Sequence, residues 1–282
     1  MPAIPWTLVL RIGAVLLVLL VFWWGFLFNV QRQVLFPIPD PLRERKPPED
    51  ATVLWLPGKG GETEAWYLPP TGGDTKRPIP ILIFAHGNAT LIDEIAAQFD
   101  PPRKWGVGIL LVEYPGYGRS GGRPSQKAIG ETMAAAFDWA LAQPSIDPKR
   151  IIGYGRSLGG GAICQLSLDR DLAALILEST FTSTRPFAGR YGAPGFLILD
   201  PFDNLEVVKK QSQPILLFHG EKDEVIPLEH GVQLARAAGV SLRVHGGGHN
   251  DTPRPWETIL KFLVENRLLE SPIPHLDVRA PS

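Results

Sequence analysis

Arg150-Ile151-Ile152-Gly153-Tyr154-Gly155-Arg156-Ser157-Leu158-Gly159-Gly160-Gly161 decides how the rest of the chain is read. The first five residues form a short, mostly apolar run of strand character. A G-x-S-x-G segment, Gly155 to Gly159, follows at once, and the stretch Ser157–Leu168 behind it has helical character. Strand, tight turn and helix in that order are the context that gives the motif meaning. The turn forces the serine into a strained backbone conformation. Side chains two residues before and two after it would collide with the neighbouring strand and helix, so glycine stands at both places. A serine so placed sits at a helix N-terminus, where the dipole favours developing negative charge.

Working outward, short apolar runs recur at Thr52–Leu56, Ala65–Leu68, Ile79–Ala85, Val107–Tyr114, Leu172–Leu177, Pro214–Phe218 and Val240–Val244. Several are apolar throughout, as strands buried on both faces are. Helical stretches lie between the later runs, at Ser125–Ala142 (with Ser125 as N-cap), Leu228–Ala237 and Trp256–Leu269. Strands alternating with helices predict a largely parallel sheet covered on both faces.

Two loops offer partners for Ser157. Asp223 follows the run Pro214–Phe218, in His219-Gly220-Glu221-Lys222-Asp223. His249 follows Val240–Val244, in His245-Gly246-Gly247-Gly248-His249. The order serine, acid, histidine makes Ser157, Asp223 and His249 the candidate catalytic residues. Asp223 is preferred to Glu221 and Glu224 because it precedes Val225-Ile226-Pro227, where the next helix is set up. Glu178, ending another strand, is the alternative acid. His249 is preferred to His245, which ends a strand, because the glycines leave a side-chain-free approach to the loop tip. His230 and His275 read as solvated. The backbone N–H groups of Asn88, in His86-Gly87-Asn88-Ala89, and of Leu158 are the candidate oxyanion donors. His86 reads as ordering its turn through a hydrogen bond. Cys164 reads as a core residue.

The 282 residues carry 28 Lys plus Arg against 29 Asp plus Glu, a net charge of −1, which argues against a nucleic-acid partner. A single cysteine excludes an internal disulfide and a cysteine-rich zinc site. His245 and His249 stand four apart, but the three glycines between them make a helical metal pair implausible. No metal or organic cofactor is expected.

Ile12 to Phe28 is an unbroken run of apolar residues and glycine, long enough with Leu8–Arg11 to span a hydrocarbon core of about 30 Å. Trp6 lies before it, and Trp23 and Trp24 lie near its far end, as an aromatic belt would. A cleaved signal would have a shorter run and a small-x-small site, which Phe28-Asn29-Val30-Gln31 is not. The division expected is an anchor at 1–30 giving a single-pass membrane protein, a Pro-rich charged linker at 31–50, one α/β domain at 51–270 and a tail at 271–282. Arg11 with the α-amine on one side, and Arg32, Arg43, Arg45 and Lys46 on the other, leave the sidedness open.

His86-Gly87-Asn88-Ala89, Glu113-Tyr114-Pro115-Gly116-Tyr117-Gly118-Arg119-Ser120, Gly155-Arg156-Ser157-Leu158-Gly159, Gly220-Glu221-Lys222-Asp223 and Gly248-His249 together resemble the α/β-hydrolase family. Within it the chain is similar to small membrane-anchored hydrolase-domain proteins, some of which hydrolyse lipids or protein thioesters. The resemblance covers residues 51–268 and implies an eight-stranded, mostly parallel sheet. It also implies a serine esterase, thioesterase or lipase-like activity on a small-molecule or lipid acyl ester. Cap domains of the family follow the sixth strand. The 33 residues from Phe181 to Gln213, interrupted by Pro186, Pro194 and Pro201, leave no room for a large one, so an open site is expected. The family's cytoplasmic depalmitoylases carry cysteine-rich N-termini, which this chain lacks.

Three other readings compete. Gly116-Tyr117-Gly118-Arg119-Ser120-Gly121 matches G-x-G-x-x-G, but Gly122-Arg123-Pro124 continues the loop where a dinucleotide site should open a helix. A serine peptidase acting on short peptides would use the same residues. A non-catalytic, membrane-tethered binding protein would usually lack one of them, and all are present.

Overall fold

The computed structural model describes residues 5–39, 46–73, 77–251 and 254–270. The expected tail at 271–282 and His275 lie outside the described residues. The first element, α1 (Trp6–Leu35), is followed by β1 (Thr52–Leu56), β2 (Thr63–Leu68), β3 (Ile79–Ala85), α2 (Ile92–Ile95), α3 (Asp100–Lys104), β4 (Gly108–Val112) and α4 (Gln126–Leu141). Then come β5 (Ile146–Arg156), α5 (Leu158–Asp169), β6 (Ala174–Glu178), α6 (Asn204–Val208), β7 (Ile215–Gly220), α7 (Leu228–Ala238), β8 (Leu242–His245) and α8 (Trp256–Glu265).

The eight strands form one sheet in the order β1-β2-β4-β3-β5-β6-β7-β8. β2 runs antiparallel to both neighbours, and the strands from β4 to β8 are parallel. The period of two along each strand divides the core. Ile81 and Ile83 of β3 join Ile129 and Met133 of α4, Ala162 and Ile163 of α5, and Leu234 of α7. Leu82 and Phe84 face the other way, onto Ile92, Phe99, Ile259 and Leu263. The strands are apolar throughout because both faces are covered. The α/β-hydrolase architecture expected from the sequence is therefore present.

The ends of some elements differ from expectation. β5 begins four residues earlier, at Ile146, and α8 stops at Glu265, where Asn266 caps it and Arg267 turns to φ 59°. The loop Gly116–Gly121 opens no helix. Its ends are tied by Gly116 N–H to Gly121 O at 2.9 Å, and α4 begins only at Gln126, capped by Ser125 Oγ.

The larger correction concerns the N-terminus. α1 has 30 residues and a mean hydropathy of 2.3 over its most apolar window, which is long and apolar enough to cross a membrane. It runs to Leu35, five residues into the expected linker. Asn29, Gln31 and Arg32 do not end it, because their side chains find partners on the helix or on the domain. Gln31 donates to Leu197 O at 3.2 Å and accepts from Leu199 N–H at 2.8 Å, and Arg32 Nε is 2.7 Å from Asp200 Oδ2. The helix ends just before Pro37, as the restricted backbone preceding proline dictates. Phe36 is buried against Phe202.

Candidate active site

The turn between β5 and α5 is built as the glycines require. Ser157 has φ 55° and ψ −118°, a conformation that costs a non-glycine residue energy and persists only where surroundings enforce it. A Cβ on Gly159 would land on Ala85 O, and one on Gly155 would land on Gly159 O. Three hydrogen bonds hold the elbow. Ser157 N–H donates to Glu178 O at 2.9 Å, Gly160 N–H to Ser157 O at 3.0 Å, and Thr180 Oγ1 to Ser157 O at 2.7 Å.

Neighbouring parallel strands β7 and β8 bring Asp223 and His249 to the same sheet edge. Ser157 Oγ is 3.1 Å from His249 Nε2, and His249 Nδ1 is 2.7 Å from Asp223 Oδ2. All three residues are buried. The other oxygen, Asp223 Oδ1, accepts from the N–H groups of Val225 at 3.0 Å and Ile226 at 2.7 Å. Burial alone would raise this carboxyl. The hydrogen bonds from His219, His249 and Ile226 outweigh it and hold Asp223 well below the usual carboxylate range. With Nδ1 on the carboxylate and Nε2 on the serine hydroxyl, the three groups stand in the order that proton transfer from a serine would need.

Glu178, the alternative acid, is engaged elsewhere. Tyr154 Oη donates to it at 2.5 Å, and Arg156 and Arg254 lie 3.4 and 3.6 Å away. Asn88 and Leu158 line one cleft with Ser157. His86 sits beside the elbow with both ring nitrogens on acceptors, Gly87 O and Glu113 Oε1, each at 2.7 Å. Glu113 Oε2 in turn accepts from Ile92 N–H, so His86 orders the turn. His230 is not solvated. It is half-buried, stacked on Phe187 at 5.3 Å, and its Nδ1 faces Thr182 N–H at 3.2 Å. Burial first, then the neighbouring His219 and Arg190, lowers its pKa.

Three contributors escape a reading of the sequence. His219 Nε2 is 3.4 Å from Asp223 Oδ2 while bonded to Ile226 O at 2.8 Å. Its place at the end of β7, directly before the Asp223 loop, is the signal that could have found it. Arg156, the variable residue of the motif, donates to His249 O and Asn250 Oδ1. The third is α1. The cleft over Ser157 is about 300 Å³, at the small end of small-molecule sites, and its lining is mostly apolar. One side comes from Phe187, Leu197 and Ile198, and the other from Trp24, Leu27 and Val30 of α1. The interval Phe181–Gln213 makes no large cap, as expected, but the site is not open on the α1 side.

No protein-family model matches the chain. An uncharacterized protein of Mycobacterium tuberculosis is 30% identical over 86% of this chain and 91% of its own length. The α/β hydrolase domain-containing protein WAV2 of Arabidopsis thaliana is 30% identical over 74% of this chain and 77% of its own. Among solved structures, a thermophilic esterase of Thermogutta terrifontis, Est2, superposes with a TM-score of 0.62 at 18% identity, over 83% of this chain and 99% of the esterase. That likeness is one of fold. Sheet order, strand-turn-helix elbow and relatives agree, and the chain belongs to the α/β-hydrolase domain-containing family.

Proposed function

We propose that the protein is a membrane-anchored serine hydrolase that cleaves carboxylic ester or thioester bonds through an acyl-enzyme. Ser157 Oγ attacks the acyl carbonyl carbon as its proton passes to His249 Nε2. Asp223 holds the imidazole and stabilises the imidazolium. The tetrahedral oxyanion is received by the N–H groups of Asn88 and Leu158. Collapse breaks the bond to the alcohol or thiol, which leaves with the proton from His249. Water then attacks the acyl-enzyme carbonyl, gives its proton to His249, and the carboxylic acid departs as Ser157 recovers its proton. α1 serves as a single-pass anchor, being long and apolar enough to cross a bilayer.

The observation that carries this reading is the continuous hydrogen-bonded line from Ser157 Oγ through His249 to Asp223, at 3.1 and 2.7 Å. The apolar cleft favours an acyl chain over a peptide, whose polar backbone would need partners that the lining seldom offers.

The test is fluorophosphonate labelling of the detergent-solubilised full chain beside Ser157→Ala, with turnover of p-nitrophenyl esters. Labelling and turnover in the parent and neither in Ser157→Ala are expected. A folded parent that does neither would sink the proposal and leave a tethered binding protein in its place. Faster cleavage of anilides than of esters would shift the reading to a peptidase.

A further inference from the structure

We infer that the last third of α1 is one wall of the acyl-chain site, and that the substrate is a long-chain acyl ester attacked while still seated in the bilayer. This rests on the acyl-hydrolase reading above and goes further, naming the substrate's physical state and the element that selects it.

The argument begins with length. Thirty helical residues measure about 45 Å, whereas a hydrocarbon core of about 30 Å uses about twenty. About ten residues therefore stand beyond the core. Contacts with the domain begin at the end of the spanning part, at Trp23 and Trp24, and continue into those residues. The indole N–H groups of Trp23 and Trp24 donate to Tyr191 O and Gly192 O, both at 2.9 Å. Gln31 and Arg32 secure the next turns on Leu197, Leu199 and Asp200. The helix is thus clamped to the rim of the cleft over three turns and is no loose tether.

The clamp also fixes where the bilayer surface falls. Trp23 and Trp24 stand at the depth where aromatic residues mark a membrane interface, and they touch the domain's rim. On that rim Phe196 is 78% exposed, with Tyr191 and Leu199 also exposed. Apolar side chains grouped beside a membrane-spanning helix are accounted for by contact with the lipid surface. The cleft then lies beside the membrane surface, walled by α1 and the segment 185–198, with Ser157 in its lining. An acyl chain moves from bilayer to cleft along Leu27 and Val30 without its methylenes crossing water, which favours longer chains.

The test uses the full chain in phosphatidylcholine vesicles, with p-nitrophenyl palmitate held in the bilayer and p-nitrophenyl acetate in solution. Leu27→Trp and Val30→Trp narrow the cleft, and Gln33→Trp adds the same bulk at an exposed position of α1 outside the cleft lining. The wall variants are expected to lower the palmitate-to-acetate ratio of kcat/KM by about tenfold or more, the scale on which a pocket discriminates volume. Gln33→Trp should stay within about twofold of the parent. Val30→Ala, which removes volume without risk of overpacking, should move the ratio the opposite way. Unchanged ratios in all three wall variants, with acetate turnover and Ser157 labelling retained, overturn the inference and leave the hydrolase reading standing. A parent that neither labels nor turns over acetate overturns both.

Discussion

Arg156 reaches across the mouth of the elbow to the backbone of His249. Its Nη2 donates to His249 O and, at 2.9 Å, to Asn250 Oδ1, while its Nε lies 3.4 Å from Glu178. The three glycines before His249 give that loop little stiffness of its own, so the guanidinium supplies the constraint. In the proposed mechanism Arg156 touches no reacting atom, which makes it a positioning residue. Arg156→Leu is expected to lower kcat by about 10- to 100-fold, the scale of a misplacement near 1 Å, with a smaller change in KM. Steady-state kinetics on p-nitrophenyl acetate, with hydrogen exchange over 246–251, checks it. An unchanged kcat would show that the loop holds His249 unaided.

Asp223 gives a pH signature. Its carboxyl is held below the ordinary value near 3.9 by hydrogen bonds from His219, His249 and Ile226, against the opposing effect of burial. A depressed carboxyl contributes stability that is present above the unfolded value and lost as pH falls through the folded one. The stability gap between the parent and Asp223→Asn is therefore expected to be flat above about pH 5 and to narrow below about pH 4. Denaturant titrations from pH 3 to 8 measure it. The same variant should lose about 10³- to 10⁴-fold in kcat at neutral pH, since the amide no longer holds the imidazole tautomer. A gap that narrows at neutral pH would mean Asp223 is not held as described.

Much of this architecture is legible in the chain because it is local. A buried strand announces itself as an apolar run, and the elbow as glycines at fixed offsets around Ser157. Asp223 and His249 are legible one step further on, since each follows a strand and parallel neighbours end at one edge. What escapes is long-range. Gln31 and Arg32 look like the polar start of a linker, and only their partners 166 to 168 residues away keep them helical. Arg156 occupies a position that the motif leaves variable, and its role depends on a loop 93 residues distant. His230 looks like a surface residue until Phe187 and Thr182 close on it.

The elbow glycines should be far less tolerant than others. A methyl on Gly159 would overlap Ala85 O in β3, and backbone oxygen cannot rotate away as a side chain would. Gly159→Ala is expected to destabilise the fold by about 1–3 kcal/mol or more, as overpacking does. Gly189→Ala, where a Cβ meets nothing within 4 Å, should stay within about 0.5 kcal/mol. Urea unfolding of the pair compares them. Equal midpoints would show that the β3–α5 approach is looser than described.

Cys164 lies on α5 behind Ser157, fully buried, and burial pushes its thiol up to about 12. The thiolate is the reactive form, so the native thiol is both inaccessible and protonated at neutral pH. Disulfide reagents such as DTNB are expected to leave it untouched and to leave ester turnover unchanged. In denaturant one equivalent should react, which makes Cys164 a probe of global opening. Iodoacetamide and fluorophosphonate then separate two chemistries: only the second should inactivate the protein, and its adduct should map to Ser157. Inactivation by iodoacetamide with Cys164 modified in the folded state would mean that α5 opens readily, and that the elbow it carries is not the rigid element the nucleophile requires.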